Sequence, residues 1–212
     1  VEEGRVADLI VRWLDPEHPR IGMEFITERF ADHESELVRL ACRVVRARHG
    51  SIVEEDLDVI AEAFPRLTHR GLIAGVYRLF TEAKDARLES MTSGLSDEFV
   101  ALARAGYLLR ISGAPLPDLT PHLASGDEER VRLAAELVSD GKRVDIFDVL
   151  AKALSGARTE RTRVALVRAM VGQPGADVGP GLTKFVREEA GKVRAWALAG
   201  LAARPLRNAD VA

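Results

Sequence analysis

The chain has 212 residues, 47% of them hydrophobic and 30% charged, which is enough apolar material to bury a core. Thirty basic residues against 33 acidic ones leave a formal net charge of -3. The molecule as a whole therefore has no attraction for nucleic acid or an anionic membrane, and any basic surface must be local.

Val1 stands where a methionine would open a complete chain, so a trimmed chain or a piece of a longer protein is expected. A lone opening helix is predicted over residues 3–14. Six helix pairs follow, near 19–31/34–48, 51–64/66–80, 83–94/96–111, 115–125/127–140, 144–156/159–171 and 176–187/189–203. Breakers separate them: Gly50-Ser51, Gly113 with Pro115 and Pro117, Gly126-Asp127, Gly141, Gly156, and Gly172 to Pro174. Glu34, Ser96, Asp127 and Glu189 stand just ahead of second helices, where an acceptor or a negative charge favours a helix start. No segment alternates apolar and polar residues long enough for a sheet. The pairs run without a long polar linker, so one domain over 1–212 is expected. No run of about 18 apolar residues and no signal-peptide pattern occurs, so a cytoplasmic protein with no membrane partner is the expectation.

The pairs share a frame of 31 residues. Arg39, Arg70, Arg132, Arg163 and Arg194 fall on one lattice, with Ala101 at the point skipped. One place earlier stand Val38, His69, Val100, Val131, Thr162 and Val193. Two places later come Ile10, Ala41, Leu72, Ala103, Ala134, Ala165 and Trp196, and four beyond those Leu14, Val45, Val76, Tyr107, Val138, Ala169 and Gly200. These offsets place the apolar columns on one helical stripe. The first helices repeat in the same frame through Ile26, Leu57, Leu88, Leu119 and Leu150, a column that lapses to Gly181 with Leu182 beside it, with Phe30, Ala61, Thr92, Leu123, Leu154 and Phe185 four places on.

A helix of 11 to 15 residues is marginal alone in water. One pair leaves half of its apolar stripe uncovered, and stacking the next pair covers it. Each buried Leu-sized side chain contributes roughly 1.5–3 kcal/mol before entropy is subtracted. An all-α, right-handed α-α superhelix of about six pairs plus an N-terminal half repeat is the predicted fold. Trp13 and Trp196 are expected to cap its two ends.

Glu36-Leu-Val-Arg-Leu-Ala-Cys42, Glu129-Arg-Val-Arg-Leu-Ala-Ala135 and Gly191-Lys-Val-Arg-Ala-Trp-Ala197 resemble the acidic-x-x-Val-Arg-x-x-Ala pattern of the second helix of a HEAT repeat. The unit is shorter than an ordinary HEAT unit and closer to the compact HEAT-like repeats first associated with bilin lyases. The resemblance covers nearly the whole chain. It implies a solenoid whose second helices line a concave face, and an arginine ladder that holds neighbouring units in register.

The arginine column admits two readings. Glu36, Glu129 and Glu160 lie three residues before Arg39, Arg132 and Arg163, within reach on a helix, so a structural ion-pair role is expected. The other reading sets Arg39, Arg43, Arg46, Arg70, Arg132, Arg163 and Arg194 against an acidic partner, since guanidinium suits carboxylate and phosphate. Arg39, Arg43 and Arg46 form one basic stripe at i, i+4 and i+7, with Arg70 one repeat along.

No catalytic or cofactor constellation emerges. His18, His33, His49, His69 and His122 have no metal-ligand spacing. Cys42, the only cysteine, reads as a small core residue. The stretch 175–184 lacks phosphate-loop spacing, and Ser93, Ser112, Ser125 and Ser155, each just ahead of a Gly, read as turns. The expected function is a scaffold or adaptor that binds another protein or an acidic peptide segment, without enzymatic activity, cofactor or metal. A HEAT-like DNA glycosylase, with Tyr77 and Tyr107 one repeat apart, and a bilin lyase-like chaperone are the alternatives. Arginine outnumbers lysine 25 to 5, and Asn208 and Gln173 are the only side-chain amides. A thermophilic source is expected on that ground, against which a melting temperature of about 50 °C would count.

Overall fold

The computed structural model describes residues 2–14, 20–141, 146–173 and 178–203, which form helices with no strand. The helices are α1 (Glu2–Val11), α2 (Met23–Arg29), α3 (Glu36–His49), α4 (Glu54–Ala63), α5 (Arg70–Ala83), α6 (Glu98–Ser112), α7 (Thr120–Leu123), α8 (Glu128–Asp140), α9 (Phe147–Gly156), α10 (Glu160–Val171), α11 (Val178–Glu188) and α12 (Gly191–Ala202). Short 3-10 turns, Arg12–Leu14 and Phe64–Arg66, extend α1 and α4. No helix among the described residues is long and apolar enough to cross a membrane.

Every expected second helix forms. They begin at residues 36, 70, 98, 128, 160 and 191, within three residues of a 31-residue spacing. Side chains start several of them. Asp97 accepts from the amides of Phe99 and Val100 at 2.8 and 3.2 Å, and Asp127 from those of Glu129 and Arg130 at 3.1 and 3.2 Å. Thr159 and the His69 ring do the same for Thr162 and Leu72. Of the four residues expected at these starts only Asp127 is an N-cap; Ser35, Asp97 and Ala190 hold the places given to Glu34, Ser96 and Glu189.

The first helices depart further from expectation. No helix forms over 83–94. Lys84 ends α5 in the left-handed region at φ 56°, and Asp85 then accepts from the Arg87 amide at 2.9 Å. Ser93 donates to the Leu95 carbonyl at 3.3 Å. Side-chain bonds of this kind offer the backbone an alternative to helix. Leu88 nevertheless takes its place on the lattice, fully buried, so a turn fills the slot meant for a helix. The expected helix over 115–125 shrinks to the single turn of α7, because Pro115 and Pro117 push their neighbours to extended backbone.

The chain divides into two compact units, residues 1–115 and 116–212. In the first, α3 packs against α1 and α5, and α5 against α6, with α2 and α4 lying on α3. Gly75 matters here: a Cβ on it would stand 2.2 Å from Leu14 Cδ1, so its absence lets the turn after α1 seat on α5. Phe64, Tyr77 and Tyr107 stack through the interior, with centroids 5.1 and 5.5 Å apart. In the second unit α8, α10 and α12 pack in succession, while α7, α9 and α11 lie against them in turn. Of the column Val38, His69, Val100, Val131, Thr162 and Val193, all but His69 are buried.

Polar ties link starts of helices to a helix earlier in the same unit. Glu3 receives the Ser35 hydroxyl at 3.2 Å and Asp8 meets His69 at 3.1 Å. Arg70 pairs with Asp97 at 3.5 Å, and Glu128 receives the Thr159 hydroxyl at 2.9 Å. Except for His69, these partners lie about one period apart in sequence. Trp196 is 41% exposed on α12, with the Arg168 guanidinium 4.9 Å from its ring centre.

Candidate functional site

The stripe Arg39, Arg43 and Arg46 emerges on the outer side of α3 because the opposite side is apolar: Ala41, Val44 and Val45 are all buried. Beside it, α4 and its 3-10 extension bring Asp56, Glu62 and Arg66, and the turn before α3 brings Asp32. Together they enclose a cleft of about 540 Å³ within residues 31–66.

Four guanidiniums and four carboxylates line the cleft, so its formal charge balances, but the pairing is uneven. Arg43 pairs with Asp56 at 3.2 Å and Arg66 with Glu36 at 3.1 Å. Arg39 instead donates to the carbonyls of His33 and Glu34 at 2.5 and 2.8 Å. Neutral acceptors orient a guanidinium without cancelling its charge. Arg46 is exposed further along the stripe. Among the described residues neither Arg39 nor Arg46 forms an ion pair with a carboxylate, and both stand beside the exposed acids Asp32 and Glu62. Val59, 40% exposed, adds an apolar spot.

The other arginines of the column lie elsewhere. Arg70 stacks over the Phe99 ring at 4.3 Å while pairing with Asp97. Arg132 is buried between Glu129 and Glu136, at 2.7 and 2.5 Å. Burial alone would lower the proton affinity of that guanidinium, but the two carboxylates outweigh it and raise its pKa. Arg163 donates to the carbonyls of Leu154 and Ala157 and pairs with Glu189. Arg194 is exposed on α12.

Sequence reading missed Arg66, Asp32, Asp56 and Glu62. A usable clue existed: Glu36 and Arg66 lie 30 residues apart, one short of the period, and carry opposite charge. Cys42 lies on the floor of the cleft, 1% exposed, and burial pushes its thiol up to about 11 against a smaller opposing effect of Arg46. Such a thiol is a poor nucleophile at neutral pH. Among the described residues no group of His, Cys, Asp and Glu is placed to hold a metal ion.

Fold and site together define a class: an all-helical protein built on a recurring second helix, with a mixed-charge cleft on its first unit. No family model matches the chain, and neither does any curated protein or solved structure.

Proposed function

We propose that the chain is a solenoid of short HEAT-like repeats that acts as a protein-binding scaffold in the cytoplasm. Its α3–α4 cleft would take an extended partner segment rich in carboxylates. Arg39 and Arg46 receive the carboxylates, Asp32 and Glu62 receive any neighbouring cation, and Val59 packs an apolar side chain. The observation that carries this reading is the uneven pairing in the cleft. Two guanidiniums already neutralised fix its shape, while Arg39 and Arg46 keep charge to offer. The nucleic-acid alternative loses its stacking platform, because Tyr77 and Tyr107 are 2% and 1% exposed and cannot meet an extruded base.

Fluorescence anisotropy with labelled peptides of alternating Glu and Ala, and with duplex DNA at low salt, tests the reading. The acidic peptide should bind, and Arg39→Glu with Arg46→Glu should weaken it by ~tenfold or more. Indifference of the peptide to that double substitution, or preference for the duplex, would overturn the proposal.

A further inference from the structure

The two arginines of the α3–α4 cleft that pair with no carboxylate stand at a defined spacing. Arg39 and Arg46 lie on one face of α3, two turns apart, which separates their Cα atoms by about 10.5 Å along the helix. Long side chains on a helix lean toward its start. Arg39 does so, donating to the carbonyls of His33 and Glu34 ahead of the first turn. Arg46 lines the cleft with Cys42, one turn back, where burial raises the thiol and the Arg46 charge works against it. Both guanidiniums therefore lean the same way and keep the two-turn spacing. Between them Arg43 is occupied by Asp56 at 3.2 Å. Val59, 40% exposed, stands on the facing wall.

A partner chain matches that spacing in few conformations. Carboxylates on one side of a β-strand stand about 6.7 or 13 Å apart, and a cleft walled by helices offers a strand no ladder of hydrogen bonds. An α-helix matches with acids seven residues apart. Two turns of a cylinder 10–12 Å wide fill on the order of 800 Å³ or more, however, against a cleft of about 540 Å³. A polyproline II segment repeats its face every three residues at about 3.1 Å per residue, so its same-side carboxylates stand about 9.3 Å apart. Its backbone asks for no hydrogen bonds from the site, and its stiffness lowers the entropy lost on binding.

We propose that the segment bound in the α3–α4 cleft is a polyproline II stretch with two glutamates three residues apart, in the pattern Glu-Pro-x-Glu. Its carboxylates meet Arg39 and Arg46, and the proline ring between them packs on Val59. This register rests on the reading of the cleft as a site for an acidic segment, and adds the conformation and spacing that the cleft selects.

The test uses the full chain and labelled polyproline peptides that carry two glutamates separated by one, two or three prolines, so that charge is constant and only spacing changes. The peptide with two intervening prolines should bind tightest, by ~tenfold over the other two. Arg39→Gln and Arg46→Gln should each bring the three peptides to a common, weaker affinity. Both positions are exposed, and thermal melts followed by circular dichroism check that each variant folds. Equal binding of the three peptides, or a preference unchanged by both substitutions, would overturn the proposal. So would tighter binding of an alanine-based helical peptide with glutamates seven residues apart. The peptide of alternating Glu and Ala separates the two levels of failure. If it binds while no proline peptide does, the register falls and the acidic-segment reading stands; if nothing binds, both fall.

Discussion

Arg132 shows what a buried charge demands. Its guanidinium is held between Glu129 and Glu136 on its own helix, and removing both carboxylates strands a cation in the interior. Glu129→Gln with Glu136→Gln should therefore cost about 3–5 kcal/mol in urea unfolding; a loss below roughly 1 kcal/mol would mean that the guanidinium swings out to water. The column that contains Arg132 was legible in the sequence, but most of its partners were not. An acid three residues back serves Arg132 alone; Glu36 turns to Arg66, and Arg163 to Glu189. Local spacing reveals who can meet on one helix, whereas a neighbour one repeat away competes through space and wins at both positions.

Glu128 makes the same point through pH. Burial alone would lift its carboxyl, but hydrogen bonds from the Arg158 amide, Thr162 and Thr159 outweigh that and hold its pKa below the usual carboxylate range. A depressed folded-state pKa contributes stability that is complete above the unfolded value of about 4.3 and is lost as pH falls through the folded one. Melting temperatures of the protein and of Glu128→Gln should therefore differ at pH 6 and converge toward pH 3. A gap that stays constant over that range would show that the ionised carboxylate is not what α10 relies on.

At the scale of the element, helix existence and helix burial separate. Leu88 sits where the 31-residue column puts it, fully buried, yet on a turn instead of the expected helix. Apolar periodicity fixed which residues go inside, while Asp85 and Ser93 decided the backbone that carries them. Leu88→Ala should cost about 2–5 kcal/mol, as a core truncation does, with little change in helical circular dichroism. A cost under about 1 kcal/mol would show the turn to be loosely attached. Gly200 offers the reverse case. Its column allowed a small residue, but the requirement comes from packing: a Cβ there would stand 2.3 Å from Val171 Cγ2. Gly200→Ala gains nearly 1 kcal/mol of helix propensity, and it should still lose about 1–3 kcal/mol net as α10 and α12 are forced apart. Net stabilisation would place the two helices further apart than described.

For the whole molecule, the all-helical class, the second helices and their frame were readable from one sequence, since a repeated column is its own control. The uneven first helices were hidden, and so was the exposure of Trp196 and Leu198 on α12, because sequence shows which side chains are apolar and not which of them the fold covers. Within residues 116–212, α8, α10 and α12 pack in succession, and we propose a modular account of this unit in which each helix pair is held by the one before it. Excision of residues 129–159, one full period, tests this most directly, since it sets Glu160 where Glu129 stood and restores the frame. The account predicts a shorter protein with undiminished helicity per residue and a single cooperative melt. An unfolded or non-cooperative product would contradict it.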